Sequence, residues 1–334
     1  MRTVPDVLHR AREVVEPASR AALSRLCDNI RPLVEYHLGY RDENGRACDQ
    51  TSGKGVRQAL GLLSAEAAGA RGEVGIPGAV AVEMVHNFSL LHDDVIDCDH
   101  ERRHRPTVWS LYGIGRAIIA GDALLSLAQQ IVLEAPGGQA AAIALAEATS
   151  AMIRGQALDM AFESTSGIDV GSCLDMEQAK TGALLGCASS IGALLARAPR
   201  ETVLTLKCFG VELGLAFQAV DDLLGIWGDP RTTGKPTFSD LRQHKKTLPV
   251  TAALGAGGAH SDELGILLAL EHLDESDLAR AAELIEACGG RMIATDEARR
   301  RLSAALGALE AGRLVRRARA ELAEVADFVV AREF

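Results

Sequence analysis

The chain has 334 residues, of which 48% are hydrophobic and 24% are charged, and this balance excludes a generally disordered protein. Lys and Arg number 35 against 45 Asp and Glu, and the formal charge of -10 argues against a nucleic-acid-binding protein, which needs basic side chains to neutralise phosphates. Aromatic residues make up only 4%, so a sandwich or barrel is disfavoured and an all-α fold is favoured.

Helical periodicity, with apolar residues at i, i+3 and i+4, recurs along the whole chain. In chain order it predicts helices over 19–38, 57–68, 79–97, 116–134, 139–162, 201–227, 246–256, 264–287 and 293–333. Clusters of Gly and Pro separate these stretches, and strand-like alternation is missing from the pattern. Because composition does not change from one stretch to the next, we predict a single all-α domain over 1–334.

The spacing of the cysteines and the length of the apolar runs indicate the cellular compartment of the protein. The seven cysteines are scattered, with an odd count and no C-x-x-C pair, which favours reduced thiols and a cytoplasmic protein. The first residues meet charge too early for a signal peptide. The uncharged run TGALLGCASSIGALLA has 16 residues. A membrane span needs about 20 residues, so this run predicts a buried helix and no transmembrane segment.

The first acidic cluster lies in HNFSLLHDDVIDCDHERRHRPTVW, residues 86–109. Asp93 and Asp97 are one helical turn apart, so their carboxylates share a face and repel each other unless a cation compensates. Mg²⁺ is the favoured cation because it prefers oxygen ligands. Guanidinium groups hold phosphate oxygens in a fork, and three arginines follow: Arg102, Arg103 and Arg105. The cluster predicts a magnesium-bound diphosphate, whereas a solvated helix end would not require the apolar stretch that precedes it.

The second acidic cluster lies in FQAVDDLLGIWGDPRTTGKPTFSDLRQHKKTLPV, residues 217–250, and its aspartate pair follows the first pair by 128 residues (221 − 93). Asp221 and Asp222 end an apolar helical stretch, and Lys235 follows in a segment rich in Gly, Pro and Thr. Loops of that composition approach phosphate closely and move easily. Two acidic helix faces that meet across a cavity can hold several Mg²⁺ ions around one diphosphate.

Five segments together resemble the motifs of the trans-isoprenyl diphosphate synthases, the polyprenyl synthetase family, and most of all its bacterial geranylgeranyl diphosphate synthases. The two acidic clusters resemble its aspartate-rich motifs, the first with a trailing Arg pair and the second with a Gly-Lys loop. SGKGVRQALGLLSAEA (52–67) resembles the segment that binds the homoallylic diphosphate. The remaining two are MIRGQALDMAFE (152–163) and the pair Lys180-Thr181. The five occur in the family's order, over about residues 50 to 250.

The resemblance implies an all-α isoprenoid synthase fold, a single large helical bundle around a deep central cavity, usually in a homodimer. It implies condensation of isopentenyl diphosphate with an allylic diphosphate to give a C20 or C15 trans-polyprenyl diphosphate. The implied ligands of three Mg²⁺ are Asp93, Asp97 and Asp221. The residues implied to contact the allylic diphosphate or steady its cation are Arg102, Lys180, Thr181, Gln218, Lys235 and Lys245. The residues implied to bind isopentenyl diphosphate are Lys54, Arg57, His86 and Arg103.

Taken alone, these residues have simpler interpretations. Lys54 and Arg57 would be a basic turn near a helix start, and Lys180 a charge at a helix boundary. His86 and Gln218 would be core polar residues with hydrogen-bond partners. The sequence contains no dedicated base for the final proton, and the released diphosphate is a plausible one.

Product length is predicted from the two residues five and four positions before Asp93, which are Phe88 and Ser89. In the family, a large residue at one of these positions stops chain growth early. One Phe beside one small Ser therefore predicts C20 rather than C15. Ordinary core packing is an equally good explanation of Phe88.

The sequence departs from the family pattern at four positions. Ser52 and Gln58 stand where the family usually has Gly and Pro, which can alter the isopentenyl diphosphate loop. Gly225 stands where the second motif normally has its last Asp, so one carboxylate of the metal site is missing. Either Asp222, Asp229 or Asp240 compensates, or the affinity for metal is lower. His104 replaces the usual Gly between basic residues.

Two other functions remain open from the sequence. A class I terpene cyclase of the same fold ionises an allylic diphosphate but does not need the isopentenyl site, so the retained Lys54, Arg57 and Arg103 speak against it. A non-catalytic subunit of a heteromeric prenyl synthase is supported only by Gly225.

Overall fold

α-Helices form nearly all of the regular structure in the described residues of the computed structural model, which are 5–48, 55–165, 167–230, 236–270 and 272–330. The helices are α1 Asp6–Leu23, α2 Arg31–His37, α3 Val56–Ala67, α4 Ile76–Ile96, α5 Val108–Tyr112, α6 Ile114–Glu134, α7 Gly138–Glu163, α8 Val170–Glu177, α9 Ala183–Leu195, α10 Arg200–Trp227, α11 Ser239–Arg242, α12 Leu248–Gly255, α13 Ala259–Leu267, α14 Glu275–Ala287, α15 Gly290–Ala311 and α16 Arg316–Val330. A 3₁₀ turn, Gly72–Gly75, precedes α4, and a π-helical turn, Gln178–Gly182, joins α8 to α9.

Three of the predicted helices are wrong in their bounds. The helix predicted over 19–38 is divided, because α1 ends at Leu23 and α2 begins at Arg31. The stretch 264–287 is divided between α13 and α14, and 293–333 between α15 and α16. At α14 the reason is local, because the Asp274 carboxylate accepts the backbone N–H groups of Ser276 and Asp277 in a capping box. Periodicity alone does not detect such a helix start.

A short hairpin follows α4, although the pattern predicted no strand. Glu101–Arg102 (β1) pairs antiparallel with Arg105–Pro106 (β2). The two turn residues, Arg103 and His104, have φ angles of 56° and 61°. Positive φ at both central residues is what a tight two-residue hairpin requires, because it matches the twist of the flanking strands. This explains why Gly is suited to position 104, where His must adopt a left-handed conformation.

One compact unit comprises Met1–Thr149, Cys187–Lys207 and Leu309–Phe328. In it α4 packs against α3 and α6. The close approach of α3 to its neighbours depends on small residues: a Cβ built at Gly61 would overlap Ala79 of α4. The Ser64 hydroxyl accepts the backbone N–H of Gly192 at 2.9 Å. These contacts fix α3 against the first turn of α4, whose opposite end carries the first acidic motif, and against α9.

A second compact unit comprises Ser150–Gly186, Cys208–Ala308 and Val329–Phe334. Its apolar core includes Ile226 of α10, Leu241 of α11, Val250 of α12 and Leu284 of α14, each at most 1% exposed. This core anchors the end of α10, which carries the second acidic motif. The predicted single domain over 1–334 stays a prediction.

The uncharged run at 181–196 forms the end of the π turn and α9, and most of its side chains are buried, as predicted. Three other helical segments are long and apolar enough to cross a membrane by length and composition: Gly72–Ile96, Ile114–Glu134 and Arg200–Trp227. The sequence analysis did not single them out. In the first of them, 61% of the apolar window is buried inside the protein, so packing in the core accounts for much of its composition.

Candidate active site

The first acidic motif occupies the last turn of α4 and the residue that ends it. Asp93 lies in that turn, and Asp97 is the C-cap, whose backbone N–H donates to the Asp93 carbonyl at 2.8 Å. Both side chains are half-buried, as are His86 and Ser89 on the preceding turns. The helix therefore presents two adjacent carboxylates on a partly accessible stripe, which suits binding of a hard cation.

The neighbouring carboxylate, Asp94, is used inside the protein. It is 1% exposed, and the Arg102 Nε donates to its Oδ1 at 2.5 Å. Burial raises the pKa of Asp94, and the Arg102 charge opposes that increase. Its second oxygen, Oδ2, is buried and has no hydrogen-bond partner among the described residues. Asp94 thus orients the guanidinium of Arg102, a role that sequence reasoning did not assign.

His86 lies among the arginines that the resemblance assigns to isopentenyl diphosphate. Desolvation lowers its pKa well below the ordinary value, and the next largest contributions come from Arg57, Arg103 and Arg102. The imidazole is therefore neutral at pH 7, and the arginine charges add to the effect of burial. Guanidinium groups near a neutral imidazole are suited to binding a diphosphate anion. Lys54 and Ser52 lie outside the described residues, whereas Gln58 is half-buried in the first turn of α3.

His37, at the end of α2, belongs to the same environment and was missed. Desolvation, together with the Arg102 and Arg103 charges, lowers its pKa to about 3. The neutral ring pairs through Nε2 with the Asn87 Oδ1 at 3.1 Å, and the Asn87 Nδ2 donates to the Glu83 carbonyl at 2.8 Å. No periodic signal links His37 to Asn87, which is 50 residues away.

Arg105 does not share the role predicted for the arginine cluster. Its guanidinium donates to the backbone carbonyls of Tyr36 at 3.1 Å and Arg41 at 2.8 Å. It also lies over the Tyr36 ring, 4.3 Å from the centroid. Arg105 therefore fixes the hairpin to the end of α2, and the prediction that it grips phosphate is wrong because backbone carbonyls and an aromatic face already hold it.

The two candidate chain-length residues have different environments on α4. Phe88 is 7% exposed, and its ring lies 4.8 Å from the His92 ring in an edge-to-face arrangement. A Cβ built at Gly121 of α6 would contact both of these rings. Ser89 is half-buried, and its hydroxyl donates to the His86 carbonyl at 2.8 Å. Phe88 is thus packed against α6, while the small Ser89 side chain is turned back to its own helix backbone.

In the second acidic motif the adjacent aspartates of α10 also differ in burial. Asp221 is exposed, and Asp222 is buried. Asp222 Oδ1 accepts from the Gln218 Nε2 at 2.8 Å, and Oδ2 accepts from the Leu248 N–H at 2.9 Å. Asp221 therefore remains the accessible carboxylate, whereas Asp222 connects α10 to the start of α12.

Lys180 and Thr181 lie in the π-helical turn, a geometry that often marks functional sites. The Lys180 Nζ pairs with the buried Asp159 of α7 at 2.5 Å. The Thr181 hydroxyl donates to the Gln218 Oε1 at 2.7 Å. A Cβ built at Gly155 would overlap the Lys180 backbone, so α7 approaches this turn closely only because residue 155 is Gly. The sequence analysis quoted the segment that contains Asp159 but gave that residue no role.

Asp240 occupies the space left by Gly225. A Cβ built at Gly225 would overlap the Asp240 carboxylate. The Ser239 hydroxyl lies 3.2 Å from the Gly225 carbonyl and 3.3 Å from the Asp240 Oδ1, and the Phe238 N–H donates to the Ile226 carbonyl at 3.3 Å. Of the three aspartates considered as compensation, Asp240 thus lies at the position of the missing side chain.

The basic residues after α11 are held in place by a backbone hydrogen bond to Asp240. The Lys245 backbone N–H donates to the Asp240 carbonyl at 3.0 Å, and its side chain is half-buried. Burial lowers the pKa of the adjacent Lys246. Lys235 lies outside the described residues.

The donor set is suited to Mg²⁺ when a diphosphate supplies further oxygens. Within the described ranges, no group of three or more His, Cys, Asp and Glu side chains is placed to hold a metal ion. Phosphate-handling enzymes commonly bind Mg²⁺ through one or two carboxylates and complete its shell with phosphate and water. Asp93 with Asp97, and Asp221 in the other unit, are of this kind. That the two motifs meet across a cavity stays a prediction.

Comparison with known proteins gives a consistent result. The polyprenyl synthetase family profile matches residues 43–285. The chain is 48% identical over 338 aligned residues to a (2E,6E)-farnesyl diphosphate synthase of Mycobacterium bovis, covering 99% of this chain and 94% of the relative. It is 42% identical to a geranylgeranyl diphosphate synthase of Mycobacterium tuberculosis, covering 91% and 88%.

Solved structures agree with these sequence matches. A polyprenyl synthetase from Streptomyces coelicolor A3(2) superposes with a TM-score of 0.93 at 50% identity, covering 98% of this chain and 100% of that one. A geranylgeranyl pyrophosphate synthetase from Pyrococcus horikoshii gives a TM-score of 0.86 at 30% identity, covering 98% and 99%. The chain therefore belongs to the polyprenyl synthetase family, the trans-isoprenyl diphosphate synthases, and has their all-α fold.

Proposed function

We propose that the protein is a magnesium-dependent trans-prenyltransferase that condenses isopentenyl diphosphate with an allylic diphosphate to make a C15 or C20 prenyl diphosphate. Family membership and relatives named farnesyl and geranylgeranyl diphosphate synthase support the reaction type and the product range. The finer assignments, which are the site residues, the number of metal ions and the product, rest on the chemistry of the described side chains.

One observation carries the proposal: the hairpin after the first acidic motif holds Arg102 against Asp94 and carries Arg103 in its turn. The charges of Arg57, Arg103 and Arg102 also contribute to the lowered pKa of His86. An enzyme that only ionises and cyclises an allylic diphosphate needs one diphosphate site, at the carboxylates. A second cationic group beside the first motif is suited to a second diphosphate, that of isopentenyl diphosphate. Lys54 is proposed to complete this subsite.

In the proposed reaction, acidic side chains hold the metal ions and basic side chains bind the leaving diphosphate. Three Mg²⁺ ions, held by Asp93, Asp97 and Asp221, would supply positive charge that stabilises the departing diphosphate. Arg102, Lys180, Lys235 and Lys245 would donate to the oxygens of that diphosphate as its charge grows.

In the same proposal, neutral side-chain oxygens stabilise the positively charged intermediate. Thr181 and Gln218, which are hydrogen-bonded to each other, would direct oxygen lone pairs at the allylic cation. Arg57, His86 and Arg103 would hold isopentenyl diphosphate so that its double bond attacks the cation. Apolar side chains would exclude the water that quenches it. The released diphosphate would take the proton that leaves when the new alkene forms.

The direct test incubates the pure protein with Mg²⁺, labelled isopentenyl diphosphate and geranyl or farnesyl diphosphate. We expect elongated diphosphates, no reaction after chelation of Mg²⁺, and recovery when Mg²⁺ is returned. A cyclic hydrocarbon formed from the allylic substrate alone would instead identify a cyclase. No reaction with any primer would favour the non-catalytic subunit.

Product length is proposed to depend on Phe88. Replacing Phe88 with Ala is expected to lengthen the main product by at least one isoprene unit, because the truncated side chain opens the space between α4 and α6. Leu91→Ala, at a buried position on the same helix, is the matched control, and it should lower stability by about 2–5 kcal/mol without changing the product. Chromatography of the dephosphorylated products measures the length, and an unchanged distribution in a folded Phe88→Ala variant would show that Phe88 only packs the core.

We also propose that residues 1–334 work as one domain, in a cytoplasmic homodimer, as the resemblance implies. Exposed apolar side chains along α6 support the dimer, because they would be covered by a second copy: Ile114, Ile118, Ile119 and Leu133.

A further inference from the structure

The hairpin that carries Arg103 is held from the side of α2 by Tyr36, a residue with no role in the proposed site. Tyr36 is 3% exposed, and its hydroxyl donates to the Pro106 carbonyl at 2.7 Å. In return, the Arg105 guanidinium donates to the Tyr36 carbonyl at 3.1 Å and lies over the Tyr36 ring, 4.3 Å from the centroid. Side chains from both elements therefore join α2 to strand β2.

The turn of this hairpin has a conformation that its own residues disfavour. Arg103 and His104 have φ angles of 56° and 61°, in the left-handed region, where any residue other than Gly is strained. Such a conformation persists only where the surrounding structure enforces it. The two strands contain only two residues each, so their own pairing supplies few hydrogen bonds. The shape of the turn therefore depends on what holds β2.

The base of the hairpin is fixed independently of Tyr36. The Trp109 Nε1 donates to the Asp99 carbonyl at 2.8 Å, and the Thr107 hydroxyl donates to the same carbonyl at 2.9 Å. The Thr107 N–H donates to the His100 carbonyl at 2.9 Å. Loss of the Tyr36 contacts is therefore expected to shift the turn and to leave the hairpin folded.

The two arginines of the hairpin differ in their dependence on Tyr36. Arg102, in strand β1, has its own support, because its Nε donates to the buried Asp94 of α4 at 2.5 Å. Arg103 lies in the turn and lines a cavity together with Gln58 of α3 and other residues of the same compact unit. A shift of the turn would therefore change the lining of this cavity and move Arg103 more than Arg102.

We propose that Tyr36 is a positioning residue for isopentenyl diphosphate: by holding β2, it fixes the turn that places Arg103 at that substrate. The inference rests on the proposed role of Arg103 in binding isopentenyl diphosphate. It predicts a defect in the binding of this substrate and little change for the allylic diphosphate, whose proposed ligand Arg102 is held by Asp94.

The test compares Tyr36→Phe with Tyr112→Phe. The first removes only the hydroxyl that donates to Pro106, and the second makes the same chemical change on the ring that packs edge-on against Tyr36, 5.8 Å between centroids. We expect Tyr36→Phe to raise KM for isopentenyl diphosphate about threefold to tenfold, the factor for one lost hydrogen bond. Its kcat and its KM for the allylic substrate should change less than about twofold, and Tyr112→Phe should leave all three constants unchanged.

His104→Gly tests whether the effect acts through the turn. Gly adopts a positive φ at little cost, so this change should recover most of the KM increase in the Tyr36→Phe background and alter KM little by itself. Such recovery supports the positioning role. Wild-type KM for isopentenyl diphosphate in a folded Tyr36→Phe variant, an equal increase in both KM values, or an increase that His104→Gly leaves unchanged would overturn it.

Two further variants keep the test independent of folding defects. Val132→Ala, at a fully buried position of α6, should lower the melting temperature and leave KM for isopentenyl diphosphate unchanged. Arg105→Met removes the donors to the Tyr36 and Arg41 carbonyls, and it replaces Tyr36→Phe, with the same expected result, should that variant not fold.

Arg103→Gln separates this inference from the proposed function, with calorimetry of isopentenyl diphosphate in the absence of allylic substrate as the direct measure of binding. If Arg103→Gln weakens binding and Tyr36→Phe does not, only the role of Tyr36 fails. If Arg103→Gln binds as tightly as the wild type, or the wild type does not bind isopentenyl diphosphate, the proposed subsite fails, and the positioning role fails with it.

Discussion

Replacing Asp93 with Ala is expected to reduce turnover by about 10³-fold, the size of effect seen when a group that stabilises transition-state charge is removed. Asp93 and Asp97 are half-buried neighbours at the end of α4, and the proposal assigns both to the metal that neutralises the leaving diphosphate. Removing one carboxylate also removes a like-charge repulsion at i, i+4 of about 0.2–0.5 kcal/mol. The variant should therefore fold normally while losing activity.

Two measurements separate the metal role from a folding defect. Calorimetry should show Mg²⁺-dependent binding of inorganic diphosphate to the wild type and at least a tenfold weaker affinity in Asp93→Ala, as expected when a metal ligand is lost. The matched control is Asp28→Ala, where the side chain is 93% exposed, and it should change neither binding nor turnover. A folded Asp93→Ala enzyme with wild-type turnover would refute the metal role of Asp93.

Restoring the family's aspartate at position 225 is expected to damage the protein. In most helix interiors, replacing Gly stabilises by up to about 1 kcal/mol. Here the new Cβ would overlap the Asp240 carboxylate, and the new charge would face an existing one. Overpacking of this kind costs about 1–3 kcal/mol, so the steric and electrostatic penalty outweighs the helix propensity. Gly225→Asp should lower the melting temperature and weaken Mg²⁺ binding.

A double-mutant cycle tests whether Asp240 replaces the missing carboxylate. Asp240→Ala alone should weaken Mg²⁺-dependent diphosphate binding about 10-fold or more, as loss of a group around a metal does. The double variant Gly225→Asp/Asp240→Ala moves one carboxylate from α11 to α10 and should recover much of the affinity and the stability.

The control for Gly225→Asp is Gly307→Asp in α15, where a built Cβ meets nothing within 4 Å, and it should leave the melting temperature nearly unchanged. Strictly additive effects in the cycle would show that positions 225 and 240 act independently. In that case Asp240 would not be the substitute for the missing aspartate.

Local pattern was sufficient for most of the helices, including the two that carry the acidic motifs. Helix α4 begins at Ile76 and ends at Ile96, against a predicted 79–97, and α10 spans Arg200–Trp227, against 201–227. Each of these two helices depends on interactions within a few turns, and a hydrophobic repeat of 3.6 residues indicates such a helix directly. The failures at 19–38 and 264–287 were also local, because breaks and caps inside an apolar pattern change the helix without changing its period.

The resemblance identified the acidic motifs, but it did not show how the adjacent aspartates of each pair differ. Asp94 is buried against Arg102, and Asp222 is buried against Gln218 and the start of α12, while Asp93 and Asp221 are the accessible members. Burial on one side of a helix is set by what packs there, and that partner is distant in sequence. The same holds for Asp240 in the space beside Gly225.

By itself the sequence determined an all-α chain, the positions of most helices and two acidic motifs followed by basic residues. Only the tertiary structure decided that His37 joins Asn87 over 50 residues, that Asp159 holds Lys180 over 21, and that Arg105 fixes a hairpin. The physical reason is that periodicity depends on neighbours along one helix. The pKa of a carboxyl and the orientation of an amide depend instead on the desolvation and hydrogen bonds that other helices provide.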